Sequence, residues 1–141
     1  MAALSDHLEG QIVKHFLQGD TQPSSGDSTV AGQPVYLALF TADPTDAGSM
    51  VNEADYTGYA RQAAIWDLFN GNQTANSNSI QFDANANASQ ASITITHAAI
   101  FDSGTANGGS MLLHGELASA KTLAVDDVLA FSMGSIIFTL N

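Results

Sequence analysis

Near the start of the chain, hydrophobic residues recur at the spacing of an α-helix. The stripe is formed by Leu4, Leu8, Ile12 and Phe16. Residues three or four positions apart lie on one face of a helix, so the pattern predicts an amphipathic helix within residues 1–19. We expect Leu8, Ile12 and Phe16 to contact a partner surface, either on the same chain or on another molecule.

Residues 20–34 break this pattern. The segment DTQPSSGDSTVAGQP is rich in Pro, Gly and Ser and poor in large apolar residues. Such a composition is typical of a flexible linker. We therefore predict a tether between the helix and a domain that begins at residue 35.

From residue 35 onward the pattern changes to short β-type segments. Val35–Ala42 is a dense apolar run, and Ile93–Asp102 contains the β-branched stretch SITIT. β-Branched residues fit the pleated, half-buried surface of a strand. Further strands are predicted at Tyr59–Phe69, Ile80–Phe82, Met111–Leu117, Lys121–Val125, Val128–Phe131 and Ser135–Leu140. Short strands separated by turn signals roughly every 8–12 residues predict an all-β sandwich or barrel over residues 35–141.

Polar stretches rich in Asn, Gly or Asp separate these strands. Asn70–Asn78 is predicted to be a polar loop, and Ser103–Gly109 a glycine-rich turn. Asp126-Asp127 predicts the turn of one hairpin, and Met133-Gly134 a bulge or a bend.

Alternation within the SITIT strand predicts which of its side chains are buried. Ile93, Ile95 and Phe101 fall in one phase, and Thr94 falls in the other. Because successive side chains of a strand point to opposite faces, we expect the first three on one buried face and Thr94 on the opposite face.

Charge and composition argue against several classes of function. The 141-residue chain carries 14 acidic residues against three cations, Lys14, Arg61 and Lys121, which gives a formal net charge of −11. Nucleic-acid binding needs a basic surface, and anionic membranes repel an acidic chain, so we expect neither partner. No apolar run approaches the ~20 residues of a membrane-spanning helix. The chain has no cysteine, which excludes disulfides, thiolate metal sites and cysteine nucleophiles.

Motifs that carry chemistry are missing from the sequence. There is no G-x-S-x-G elbow, no histidine pair at zinc-binding spacing and no glycine-rich phosphate loop. We therefore expect no catalytic, cofactor-binding or metal-binding residues and no small-molecule ligand. Arg61, the only arginine, is expected to hold a carboxylate through two hydrogen bonds. His97 and Trp66 are expected to be core residues, with His97 hydrogen-bonded in the core or in an interface.

Three groups of segments occur in a distinctive order. The first is LALFTADPTDAG at residues 37–48, and the second is GYARQ at residues 58–62. The third is THAAIFD at residues 96–102, followed by LLHGEL at 112–117 and KT at 121–122. In order and spacing, and in the helix that precedes them, these segments resemble a family of small virion proteins of tailed bacteriophages. The resemblance extends over nearly the whole chain.

Members of that family are described as tail-fibre-like, minor structural or capsid decoration (cement) proteins, and the family carries no catalytic motif. This chain departs from the family pattern at residues 50–57, where MVNEADYT replaces a glycine-rich segment. The departure lies in a surface loop, so it affects the expected partner surface more than the expected fold.

The resemblance implies a mainly β fold, a jelly-roll-like β-sandwich with one N-terminal α-helix, and a non-enzymatic structural role without a cofactor. We expect a capsid decoration protein that binds the major capsid protein on the outer surface of the capsid, as a homotrimer suited to three-fold sites. One alternative is a tail-associated structural or fibre protein. Another is a carbohydrate-binding β-sandwich module, in which Tyr56, Tyr59 or Trp66 would supply an exposed aromatic surface.

Overall fold

The computed structural model describes residues 34–67, 73–86 and 92–139. This part of the chain is mainly β and contains no helix. The predicted β character is therefore confirmed. The predicted helix (1–19) and tether (20–34) lie outside the described residues.

The described residues form eight strands. They are β1 (Val35–Phe40), β2 (Gln62–Ala64), β3 (Gln73–Ala75), β4 (Ile80–Gln81), β5 (Ser92–Phe101), β6 (Met111–Ala124), β7 (Ala130–Phe131) and β8 (Ile137–Thr139). One sheet has four strands in the order β2-β1-β5-β6, and two sheets have two strands each, β3 with β8 and β4 with β7. The jelly-roll arrangement of a sandwich stays a prediction.

The chain divides into two compact units. The large unit spans Val35–Ala63 and Ile80–Phe131 and holds β1, β4, β5, β6 and β7. The small unit holds β3 and β8, and its described residues are 34, 64–67, 73–79 and 132–139. All of β2 except its last residue belongs to the large unit.

The antiparallel strands β1 and β5 are the two central strands of the four-stranded sheet. Their register runs from Tyr36 opposite Phe101 to Phe40 opposite His97. Five of the six residues of β1 are buried, so this strand is covered on both faces. Burial on both faces explains why its sequence, VYLALF, is a continuous apolar run rather than an alternating one.

A hydrophobic cluster packs around the two central strands. It consists of Ala38, Phe40, Ala99 and Phe101, each at most 1% exposed. The rings of Phe40 and Phe101 are stacked with their centroids 6.1 Å apart. Met50 and Met111 pack against this cluster and are partly buried. Met50 lies in the loop after β1 and Met111 begins β6, so the cluster joins the central strands to these two segments.

Burial alternates as predicted over residues 92–95 of β5, but Ala99, Ile100 and Phe101 at its end are all buried. Ile93, Ile95 and Phe101 are buried, whereas Thr94 is exposed. Thr94 lies opposite Thr122 of β6, and their hydroxyl oxygens are 3.0 Å apart. In the first part of β5 the exposed phase therefore carries the polar Thr94–Thr122 pair, while the buried phase carries Ile93 and Ile95.

β6 is one of the two outer strands of the four-stranded sheet and is longer than its partner β5. Opposite the single residue Thr96 of β5, it has four residues, 117–120, that pair with nothing in β5. The flanking pairs are Ile95–Lys121 and His97–Glu116. These extra residues form a bulge, which interrupts the ladder near the middle of β6.

Three local predictions were wrong. Residues 70–78 are not wholly a loop, because Gln73–Ala75 pairs with β8 to form β3. The two strands predicted within residues 111–125 are the single strand β6. Asp126-Asp127 lies at a turn, with φ of 68° at Asp126, but the turn closes no hairpin because β7 pairs with β4.

Candidate functional site

A group of mostly buried polar atoms joins two parts of the large unit that are far apart in sequence, residues 53–61 and residues 103–108. We call it the arginine cluster, and it comprises the side chains of Glu53, Tyr59 and Arg61, the backbone N–H of Asn107, and the carbonyl groups of Ser103 and Gly108. The side chains of Arg61 and Glu53 are 0% and 1% exposed. An ion pair buried this deeply is tolerated only when its remaining donors and acceptors also have partners.

Arg61 donates four hydrogen bonds within the arginine cluster. Its Nε and Nη2 bind the two carboxylate oxygens of Glu53 at 2.7 and 2.8 Å, in the bidentate geometry that suits a guanidinium group. Its Nη1 donates to the carbonyl oxygens of Ser103, at 2.9 Å, and Gly108, at 2.7 Å. The guanidinium carbon lies 3.7 Å from the centroid of the Phe101 ring, which adds a cation–π contact.

Glu53 accepts four hydrogen bonds, two at each carboxylate oxygen. Besides the two from Arg61, its Oε1 accepts from the hydroxyl of Tyr59 and its Oε2 from the backbone N–H of Asn107, both at 3.0 Å. Its backbone forms a β-bridge with Phe40, the last residue of β1. Glu53 is therefore fixed to the central strand at its backbone and to a distant loop at its carboxylate.

The protonation states of the arginine cluster follow from burial and charge. Burial by itself would raise the pKa of Glu53, but the hydrogen bonds from Arg61 and Asn107 and the charge of Arg61 bring that pKa below its ordinary value of 4.5. Burial raises the pKa of Tyr59 strongly, although the Leu39 N–H that donates to its oxygen opposes this rise. Glu53 is thus ionised and Tyr59 is a hydrogen-bond donor at neutral pH.

The arginine cluster holds the loop that connects β5 to β6, residues 102–110. The loop also has a bond of its own, because the Asp102 Oδ1 accepts from the Ser110 N–H at 2.7 Å. Asn107 and Gly109 adopt positive φ values of 58° and 72°. A Cβ at Gly109 would overlap Asp102, so both the backbone and the available space require glycine there.

A second polar contact fixes the loop after β1. His114 of β6 has its Nδ1 3.3 Å from the Asp43 Oδ1 and its Nε2 3.1 Å from the Asp46 Oδ1. Asp46 is fully exposed and Asp43 is about half exposed, at 54% of its side chain. Both carboxylates are open to solvent, so this contact positions the loop more than it stabilises the fold.

Within residues 34–67, 73–86 and 92–139, no group of three or more His, Cys, Asp or Glu side chains is placed to hold a metal ion. The same ranges contain no helix with the length and hydrophobicity needed to cross a membrane.

The aromatic residues expected to form a carbohydrate platform lie inside the protein. Tyr56 is 2% exposed and Trp66 is 7% exposed. Tyr59 is partly buried, and its hydroxyl is held in the arginine cluster. Stacking of a sugar requires an accessible ring face, so these three residues do not form an exposed sugar-binding surface.

The sequence identified part of this site. The expected bidentate bond from Arg61 to a carboxylate is confirmed, and so is the burial of Trp66. The sequence did not reveal that Glu53 is the partner or that Tyr59 and Asn107 belong to the same group. Nothing in the sequence singled out Glu53 among the 14 acidic residues. The predicted contact residues Leu8, Ile12 and Phe16 lie outside the described residues.

Comparison with known proteins agrees with the resemblance found in the sequence. No curated protein matches the chain significantly. The family model described as "Podophage GP4 fiber I protein gp80" matches residues 3–139, which is nearly the full length. The chain therefore belongs to this family of tailed-phage virion structural proteins.

Proposed function

We propose that the chain is a non-enzymatic, fibre-type subunit on the outside of the virion. Its role as a structural component of the virion follows from the family. The fibre assignment is supported by the family description, which names a fibre protein. The resemblance read from the sequence alone favoured capsid decoration, so the description changes the leading candidate from the head to the tail.

The arginine cluster supports a structural rather than a catalytic role. Catalysis by a charged group requires that the group reach a substrate. Arg61 and Glu53 instead use their polar atoms on each other and on backbone groups, and their side chains are buried. The cluster fixes the loop at residues 102–110. A buried ion pair that fixes a loop suits a protein whose function depends on the shape of its surface and on contacts with other proteins.

Capsid decoration remains the second candidate, and the major capsid protein is the partner it implies. Its support is the resemblance of residues 37–48, 58–62 and 96–122 to proteins that include capsid cement proteins. A cement protein binds at every equivalent lattice position, whereas a fibre subunit occurs in a few copies at the tail. The two functions therefore differ in copy number and in position.

The experiment is to locate and count the chain in purified virions. Gold-labelled antibody would show its position by electron microscopy, and quantitative mass spectrometry against the major capsid protein would give its copy number. A few copies at the tail support the fibre assignment. Hundreds of copies spread over the head overturn it in favour of decoration, and absence from purified virions overturns both.

We also propose that the subunit forms a homotrimer and that the small unit contributes to the contact. Trp66 lies opposite Asn76, and Ala75 lies opposite Ile137. Because side chains alternate along strands, Ile65 and Ile137 share the face that carries Ala75. Ile65 is 61% exposed and Ile137 is 62% exposed. Two exposed isoleucines on one small sheet favour a second copy of the chain as the covering partner.

Sedimentation equilibrium tests the trimer. We expect three times the 14.6 kDa monomer mass for the wild-type chain and a smaller mass for Ile137→Asp. Val128→Asp is the matched control, because Val128 is also exposed, at 47%, but lies in the large unit. A wild-type monomer overturns the proposed trimer. Equal dissociation by both variants overturns the assignment of the contact to the small unit.

A further inference from the structure

The loop held by the arginine cluster contains an Asn-Gly pair, Asn107-Gly108. The chain has one other such pair, Asn70-Gly71, which lies outside the described residues. In an Asn-Gly pair the backbone nitrogen of glycine can attack the side-chain amide carbon of asparagine, because glycine has no Cβ to obstruct the approach. We propose that Asn107 is a site of spontaneous deamidation and that the reaction unlocks the loop from the arginine cluster.

The reaction needs only water as a co-reactant. The Gly108 nitrogen forms a bond to Cγ of Asn107 and loses its proton, while the bond from Cγ to the amide nitrogen breaks and ammonia leaves. The product is a five-membered succinimide ring. Water then opens the ring at one of its two carbonyl groups, which gives aspartate or isoaspartate at position 107. Each product carries one more negative charge than the starting asparagine.

The surroundings of Asn107 leave its side chain available. Asn107 is exposed, and within the part of the chain that the structure describes its side-chain amide has no hydrogen-bond partner. The Gly108 N–H donates to the Thr105 oxygen at 3.0 Å. The attacking nitrogen is therefore restrained by one hydrogen bond in a surface loop, and local opening of that turn frees it.

The reaction affects the loop because groups on both sides of the Asn107–Gly108 peptide bond are held by the arginine cluster. The Asn107 N–H is bound to the Glu53 Oε2 at 3.0 Å, and the Gly108 carbonyl is bound to the Arg61 Nη1 at 2.7 Å. Isoaspartate lengthens the main chain between these two anchors by one carbon atom. It also places a new carboxylate on residue 107, whose backbone N–H is held by the Glu53 carboxylate. The modified loop cannot keep both bonds, and repulsion between the new carboxylate and that of Glu53 releases the bond from the residue 107 N–H.

The same geometry predicts that the arginine cluster slows the reaction. Ring closure requires the nitrogen and the amide carbon to approach to about 3–3.5 Å in the correct orientation. The two anchors and the positive φ of Asn107 hold the backbone in one conformation. We expect Glu53→Gln, which weakens the anchor on Asn107, to speed deamidation several-fold relative to the wild-type chain.

The test follows the full-length chain during incubation in mildly alkaline buffer. Cleavage before aspartate gives a peptide of residues 102–125, in which Asn107 is the only asparagine and there is no glutamine. Any amide-to-acid mass gain in this peptide therefore reports on Asn107. The aspartate product creates a new cleavage site before residue 107, whereas isoaspartate resists cleavage and is labelled by an isoaspartyl methyltransferase.

The variant Gly108→Ala tests whether the Gly108 nitrogen is the attacking group. A Cβ at Gly108 would lie 3.4 Å from the Thr105 oxygen, an ordinary contact, so the variant should fold as the wild type does. We expect it to deamidate several-fold more slowly. We also expect wild-type protein rich in isoaspartate to exchange the amide hydrogen of residue 107 faster than fresh protein does.

Three results would overturn the proposal. The first is no mass gain in the folded chain under conditions in which urea-unfolded chain reacts. The second is an equal rate in wild type and Gly108→Ala, which would show that the Gly108 nitrogen is not the attacking group. The third is unchanged hydrogen exchange at residue 107 after conversion to isoaspartate, which would refute release of the loop.

Discussion

Replacing Glu53 by glutamine tests whether the arginine cluster stabilises the large unit. Glutamine has nearly the same shape but no charge, and its amide nitrogen cannot accept hydrogen bonds. At best it keeps two of the four hydrogen bonds that Glu53 accepts. Arg61, whose side chain is 0% exposed, then keeps a buried positive charge without a counter-ion.

The expected cost follows from that buried charge. Removing one partner of a buried ion pair typically destabilises a protein by about 3–5 kcal/mol, because the remaining charge is desolvated without compensation. The two backbone carbonyl groups that Arg61 also binds reduce this cost but carry no net charge. We therefore expect Glu53→Gln to lower the free energy of unfolding by about 3 kcal/mol, at the low end of that range.

Urea unfolding followed by far-UV circular dichroism measures this change. The fluorescence of Trp66, the only tryptophan, follows the small unit as a separate probe, because two units need not unfold together. The control is Glu116→Gln, since Glu116 is exposed on β6 and its loss should change stability by less than about 0.5 kcal/mol. A loss below about 1 kcal/mol for Glu53→Gln, typical of a surface ion pair, would refute the reasoning.

Two further predictions concern acid stability and the core. The pKa of Glu53 is lower in the folded protein than its ordinary value of 4.5, so its contribution to stability is complete above that pH and is lost as the pH falls through the folded-state pKa. Unfolding measured across this acidic range should therefore be less pH-dependent in Glu53→Gln than in the wild type, and parallel curves would contradict the linkage. Ile95→Ala should cost about 2–5 kcal/mol because Ile95 is 0% exposed. Thr94→Ala, on the exposed phase of β5, should cost less than about 1 kcal/mol by the same unfolding assay, and equal losses would show that both faces are buried.

Strands whose own sequence is apolar or β-branched were predictable. β1 is a continuous apolar run because both of its faces are covered, and the SITIT segment that begins β5 alternates as its burial does. β3, with the sequence QTA, could not be recognised in this way. Its strand conformation comes from pairing with β8, and the buried Asn76 that follows it uses its side-chain amide to bind backbone groups of Asn78, Ser132 and Ile136. Such stability depends on contacts distant in sequence, which local propensity does not contain.

The arginine cluster, too, could be predicted from the sequence only in part. Arg61 is the only arginine in a chain with three cations, and its pairing with a carboxylate was expected without a structure. The choice of Glu53 among 14 acidic residues depends on how the loop after β1 returns to pair with Phe40. Asn107 enters the cluster through its backbone N–H, so its residue type gave no indication.

The bulge in β6 also affects how the protein behaves when many copies lie close together. An outer strand of 14 residues exposes a row of backbone N–H and C=O groups to which another chain could add. Residues 117–120 interrupt that row, because they leave the ladder opposite Thr96. The interruption shortens the straight segments on either side, and short or bulged edges are poor templates for the growth of aggregated β-structure. The bulge in β6 therefore makes edge-to-edge pairing between neighbouring copies of the chain less favourable.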